Sequence, residues 1–248
     1  ARTRGIVTLT MEPARLSEFM IAQALKDRFD LSDCIVIPDG AAGSALVDRL
    51  GQAGARVLER LIRPGDTLGI GWGRTMIALA RSVSARRMPD LSVVQMTGGM
   101  TAPVGFTPEL CVSQLATALG ARAVNITAPA IVSSVEVRDI LMGEAALRGQ
   151  FETARNADKA VFGICSTRPG SSLYETGLVP EGDLAEQTLR NVVAVVAGRF
   201  IDNRGAPAKG PLDARMVGLT LDEISRIKLR IAVAGGVEKV PAILAALK

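Results

Sequence analysis

The stretch Asp66 to Met76, DTLGIGWGRTM, combines the residue types that hold an anion. Thr67 to Ile70 is a short β-prone apolar run, Gly71 and Gly73 permit a tight or left-handed turn, and Met76, Ala80 and Val83 recur at helical spacing. The free N–H groups opening such a helix, aided by its dipole, attract negative charge, and Arg74 adds a guanidinium fork suited to phosphate or vicinal hydroxyls. The same glycines also suit a plain strand-to-helix turn that needs them only for packing.

Three more segments have the same character: Thr97-Gly98-Gly99, Gly163 to Arg168, and Gly235 to Lys239. Each closes a predicted strand in glycine or small polar residues, and cations follow closely in Arg168 and Lys239. In an open α/β sheet ligands sit at the carboxyl ends of the strands, so these four ends point to one crevice that admits ligand close to backbone. Lys239 could pair with a phosphate, form a Schiff base if desolvated, or be a surface lysine. Trp72, the only tryptophan, offers a face to a sugar ring or an apolar anchor. Gln114 could reach hydroxyls or remain solvated, and Cys165 is a small buried hydrophobe or a thiol within the site.

Composition narrows the chemistry. Hydrophobic residues at 48% against 22% charged describe a globular chain, and no apolar run approaches a membrane span. Histidine is absent, which removes the commonest general base and the commonest zinc ligand, and no cofactor or metal site is expected. Cys34, Cys111 and Cys165 show no metal spacing and are odd in number, which fits a reducing, cytoplasmic setting. A net charge of +4, spread along the chain without interleaved aromatics, argues against direct nucleic-acid binding. Neither nucleotide motif is met: Gly-Lys-Ser/Thr is missing, and Met76 stands where a dinucleotide fingerprint needs its third glycine.

The elements that must position these residues alternate. Strands are expected at Ile6 to Thr10, Cys34 to Ile37, Thr67 to Ile70, Leu91 to Met96, Ala123 to Thr127, Ala160 to Ile164 and Ile231 to Ala234. Helices are expected from Pro13 to about Arg28, from Leu46 to Leu61, after Gly73, around Cys111 to Leu119, and from a Ser133–Glu136 capping box to about Gly149. Further helices are read at Asp183 to Ala197, after a second capping box at Thr220 and Glu223, and after Gly236 with Pro241 in the first turn. Arg168 to Gly182 reads as a loop over something. The alternation predicts an α/β fold, doubly wound, with a mostly parallel sheet covered by helices on both faces and no linker inside residues 1–248.

Taken in order, LGIGWGRTM, VVQMTGG, QLATALGARAVNITAP, ADKAVFGI, GRFIDNRG and IAVAGGVEKVPAILAAL make nearly the whole chain resemble one family. This is the effector-binding domain of SorC/DeoR-type bacterial sugar-sensing transcription regulators, whose fold is related to sugar-phosphate isomerases and CoA transferases. The resemblance implies that Gly73, Arg74 and Thr75, with Gly98 and Gly99, hold a sugar, polyol or sugar phosphate, and Gly71 and Trp72 of the same loop are expected at that site on their residue types. It implies help from Gln114 and Lys239 and polar contacts from the loop carrying Cys165 and Arg168. It further implies a homo-oligomer, dimer or tetramer, whose arrangement the ligand shifts, and DNA contact only through a helix-turn-helix domain not present in this chain.

Two departures accompany it. Ala194 and Val195 stand where the family usually carries glycine and an acidic residue, and the family usually continues past the equivalent of Lys248. The rival expectation is a sugar-phosphate isomerase or deaminase of the same fold. It is opposed by the missing histidine and by the lack of paired carboxylates at the predicted strand ends.

Overall fold

Short apolar runs without polar alternation form strands only if both of their faces are covered, and the computed structural model shows that arrangement. It describes residues 13–38, 44–101, 105–177, 179, 182–183 and 191–248. Seven strands form one sheet: β1 (Thr67–Ile70), β2 (Ser92–Gln95), β3 (Arg122–Val124), β4 (Lys159–Ser166), β5 (Val192–Val196), β6 (Arg199–Asp202) and β7 (Leu229–Val233). The order is β3-β2-β1-β4-β5-β6, with β7 also on β4. The pairs among β1, β2, β3, β4 and β7 are parallel, whereas β5 and β6 join antiparallel. Residues Lys159 to Gly163 of β4 pair with β7, and Ile164 to Ser166 pair with β5.

The chain divides into two compact units, Ala1–Ala41 and Ala42–Lys248. In the first, α1 (Pro13–Phe29) starts at the expected proline and stops at Asp30, whose φ is +52°. In the second, the sheet is joined by α2 (Ser44–Leu61), α3 (Arg74–Ser82), α4 (Pro108–Leu119), α5 (Val135–Gly143), α6 (Ala145–Arg155) and α7 (Ser172–Glu175). Then come α8 (Pro211–Ala214), α9 (Leu221–Ser225), a 3-10 turn at Val237–Lys239, and α10 (Val240–Ala246). Side chains from α6, α9 and α10 bury against Val94, Met96, Ala160, Phe162 and Ile164 on one face of the sheet. The helices α3 and α4 also touch the sheet yet contribute nothing to that cluster, so they cover the other face.

Several expectations change. Cys34 to Ile37 is not a strand, because an extended run becomes one only where a partner supplies the hydrogen-bond ladder. The Ser133–Glu136 box does not form: Ser134 is the N-cap, accepting from Val137 N–H at 3.3 Å, and the helix breaks at Glu144 into α5 and α6. The expected helix over Asp183 to Ala197 is the largest miss, since Val192 to Val196 is strand β5 and residues 184–190 lie outside the described ones. Ala197 and Gly198, at φ +47° and +89°, form a two-residue hairpin turn with both central residues left-handed, as type I′ requires. Ile6 to Thr10 also lies outside the described residues.

Glycines at helical spacing set how closely α2 approaches α3. A Cβ on Gly51 would lie 2.6 Å from the carbonyl carbon of Ala78, and one on Gly54 would lie 2.9 Å from Leu79 Cδ1. In an exposed helix Gly→Ala stabilises by about 1 kcal/mol. At Gly51 the sign reverses, because the neighbour is backbone: Gly51→Ala should destabilise by about 1–3 kcal/mol, read as a lower urea midpoint.

The second capping box does form, with Thr220 Oγ1 accepting from Glu223 N–H and Glu223 accepting from Thr220 N–H at 2.8 Å. Burial pushes the Glu223 carboxyl up, yet the Thr220 N–H and the Arg155 guanidinium outweigh it and hold the group below its usual range. A lowered folded-state value means the stabilisation is present above the unfolded pKa and fades as pH falls through the folded one. Gln can keep the box but loses the charge facing Arg155, so Glu223→Gln should cost about 0.5–1 kcal/mol near neutral pH. Denaturant titrations at pH 7 and at roughly pH 3 should show the gap between variant and wild type closing in acid.

Candidate functional site

The β1–α3 junction forms as a glycine turn. The Gly71 N–H donates to Val161 O at 2.8 Å, and a Cβ on Gly71 would stand 2.9 Å from Phe162 Cβ, so β1 can end beside β4 only as glycine. Gly73, at φ +118°, is the N-cap of α3, and its own N–H donates to Phe106 O at 3.1 Å. No side chain caps α3. Thr75 is buried in its first turn, while Arg74 extends outward, its side chain 46% exposed.

Beyond β4 the chain turns through Arg168-Pro169-Gly170-Ser171, where Ser171 N–H returns to Arg168 O at 3.2 Å and Gly170 has φ +79°. Proline second and left-handed glycine third is the type II pattern. Ser171 then leads into α7 without using its hydroxyl as a cap, and this Oγ is buried with no hydrogen-bond partner among the described residues. After β7, Gly236 at φ +111° opens the 3-10 turn that carries Glu238 and Lys239.

These three strand ends enclose one cavity of about 140 Å³, lined by Arg74, Arg168 and Lys239 with Ser166, Ser171, Ser172 and Glu238, and by Pro169 and Gly170. Glu175, at the end of α7, reaches Arg74 Nη1 at 3.5 Å. Three cations and three hydroxyls against one lining carboxylate suit an anionic, hydroxyl-rich group. The volume is below that of a pocket for a drug-sized molecule, so it fits one end of a ligand.

The other sequence-derived residues are not among those that line this cavity. Trp72 is half-buried and packs with Cys165 and Tyr174 against an apolar cluster containing Leu173, Val195 and Phe200. Cys165 Sγ lies 3.3 Å from Ser172 Oγ. Gly98 and Gly99 donate their N–H groups to Val217 O and Ala128 O, and a Cβ on Gly98 would meet Pro129 O at 2.5 Å. Their role in the architecture is close backbone approach. Gln114 is exposed on α4 and is not among the cavity-lining residues. Val195, in the place of the family's acidic residue, is 4% exposed and lies opposite Cys165 in register.

Sequence reasoning alone does not single out Ser171, Ser172 or Glu175. Pro169-Gly170 followed by serines does carry a signal, a type II turn handing over to a helix N-cap, and α7 follows it.

A family model described as "Putative sugar-binding domain" matches residues 16–248. The chain is 30% identical to "Uncharacterized transcriptional regulator YjhU" of Escherichia coli, over all of this chain and 77% of the relative. It is 28% identical to "Erythritol catabolism regulatory protein EryD" of Brucella abortus, over 98% of this chain and 78% of the relative. In fold it is similar to the full-length sorbitol operon regulator SorC of Klebsiella pneumoniae, with a TM-score of 0.85 at 23% identity, covering 99% of this chain and 80% of that one.

Behind the β1–α3 loop, burial pushes the Cys111 thiol up to about 12, and the nearby Glu109 carboxylate adds to the rise while the Gly73 N–H opposes it. Glu109 accepts from Met100 N–H at 3.2 Å and lies against Gly99. A thiol so rarely ionised is a packing group rather than a nucleophile. Titration with a thiol-specific disulfide reagent at roughly pH 8, with the modified peptides identified by mass spectrometry, should leave Cys111 unmodified in the native protein and label it only on unfolding.

Proposed function

The chain belongs to the sugar-binding domain family of SorC/DeoR-type transcriptional regulators, and from that premise we propose that the cavity at the ends of β1, β4 and β7 receives its effector. The effector is a sugar, polyol or sugar phosphate. One observation carries this reading: Arg74, Arg168 and Lys239, from three separate strand ends, line one cavity together with serine hydroxyls. A buried Ser171 hydroxyl without a partner among the described residues is a further mark of a group waiting for a ligand. Relatives of this chain are regulators rather than enzymes. The polyol in the name of the Brucella abortus protein supports the small polyhydroxylated class for the ligand.

In this reading the anionic or most polar end of the effector enters among the cations, and its carbon chain extends toward Trp72 and the Gly98–Gly99 turn. Binding shifts a homo-oligomer, dimer or tetramer, between two arrangements, and a helix-turn-helix domain converts the shift into operator affinity in the cytoplasm. The ligand can move that equilibrium only by its difference in affinity for the two arrangements.

A melting-temperature screen against sugars, polyols and their phosphates should single out a ligand class. For the best ligand Arg74→Ala should lose about 1.5–3 kcal/mol, roughly 10- to 100-fold in Kd by calorimetry. Unchanged affinity in that variant would remove Arg74 from the site.

A further inference from the structure

We propose that Glu175 is a built-in competitor for the effector's anionic group, pairing with Arg74 so that binding displaces it and frees α7. The inference rests on the reading of the cavity as the effector site and adds a regulatory part to it.

The Arg74–Glu175 pair is loose. At 3.5 Å it is longer than a charge-assisted hydrogen bond, and both side chains are nearly half exposed, at 46% and 44%. An ion pair of this kind is weak and open to exchange. A phosphate monoester brings more charge and more acceptor oxygens than one carboxylate. With Glu238 counted, the three lining cations leave a net charge of +2, which Glu175 reduces to +1. Displacing Glu175 restores the charge that matches a dianion.

Displacement has a mechanical consequence because α7 is held to the β1–α3 loop twice. One hold is the ion pair to Arg74. The other is apolar: Leu173, 1% exposed, belongs to the cluster against which Trp72 and Tyr174 both pack. Ser171 and Ser172, at the other end of α7, line the cavity itself. An anion drawing those serines inward while releasing Glu175 would turn α7 about Leu173 and change the surroundings of Trp72. As the only tryptophan, Trp72 reports that change.

The experiment titrates wild type, Glu175→Gln, Glu175→Asp and Arg74→Ala with inorganic phosphate at constant ionic strength, following Trp72 emission and calorimetric Kd. The expected result is roughly two- to fivefold tighter phosphate binding by Glu175→Gln, with its phosphate-free emission already near the saturated value of wild type. Glu175→Asp should return toward wild-type affinity, and Arg74→Ala should lose the response. Equal or weaker binding by Glu175→Gln, with Arg74→Ala still impaired, overturns the competitor and leaves the site standing. No phosphate response in wild type or Glu175→Gln overturns the competitor, and if no ligand of the melting screen depends on Arg74 either, the site reading falls with it. Melting curves without phosphate verify that each variant is folded.

Discussion

Parallel pairing on both edges of β4 is the constraint on which the site depends. Lys159 lies opposite Leu68 of β1 and Leu229 of β7, and this register delivers the loops after β1, β4 and β7 to one edge of the sheet. Had any of the three strands run antiparallel, its cation would emerge at the far edge. Polar contacts at the amino ends hold the arrangement. Lys159 Nζ lies 2.6 Å from Asp66 Oδ2, with both side chains under 15% exposed, and Asp158 accepts from Thr67 N–H at 2.8 Å. A pair this buried adds little net stability after desolvation, but breaking it is costly, so it serves register. The carboxyl ends are left to bind.

The antiparallel hairpin β5–β6 closes the apolar side of the site. Its turn at Ala197-Gly198 leads into Arg199 at the start of β6, whose side chain, 9% exposed, donates to Leu219 O and Gly218 O and pairs with Asp213 at 3.1 Å. A buried guanidinium is tolerable only when its donors are satisfied, and here carbonyls of the 213–219 segment do that. The same segment accepts the Gly98 N–H through Val217 O, so the β2 end and the hairpin are braced by one piece of chain. Val195 makes the hairpin's contribution near Trp72 apolar.

Rigid and yielding parts are thus distinct. Gly71, Gly98 and Gly99 stand where neighbouring backbone or side chain would collide with a Cβ, which fixes the β1 and β2 ends. The short α7 is held by an apolar cluster, by Tyr174 Oη donating to Thr167 O at 3.4 Å, by the contact of Ser172 Oγ with Cys165 Sγ, and by one water-exposed ion pair, of which the ion pair is the hold open to exchange. The turn and helix from Arg168 to Glu175 thus supply both lining residues of the cavity and the carboxylate paired with Arg74.

Local chemistry made much of this legible. The parallel strands, the β1–α3 glycine turn, the Thr220–Glu223 capping box and the three cations follow from periodicity, turn residues and the rule that strand ends bind, all short-range properties. What pairs with what is a long-range property, and there the sequence was silent or misleading. Val192 to Val196 suits a buried helix as well as a strand, and only antiparallel partners in β4 and β6 made it β5. Cys34 to Ile37 has strand composition without strand structure. Gln114 lies exposed on a helix that contributes nothing to the cavity wall, whereas Glu175, in a stretch read as loop, reaches Arg74 across about 100 residues of chain. Side-chain types specify which interactions are available; the sheet's register and the way each helix is turned decide which of them meet.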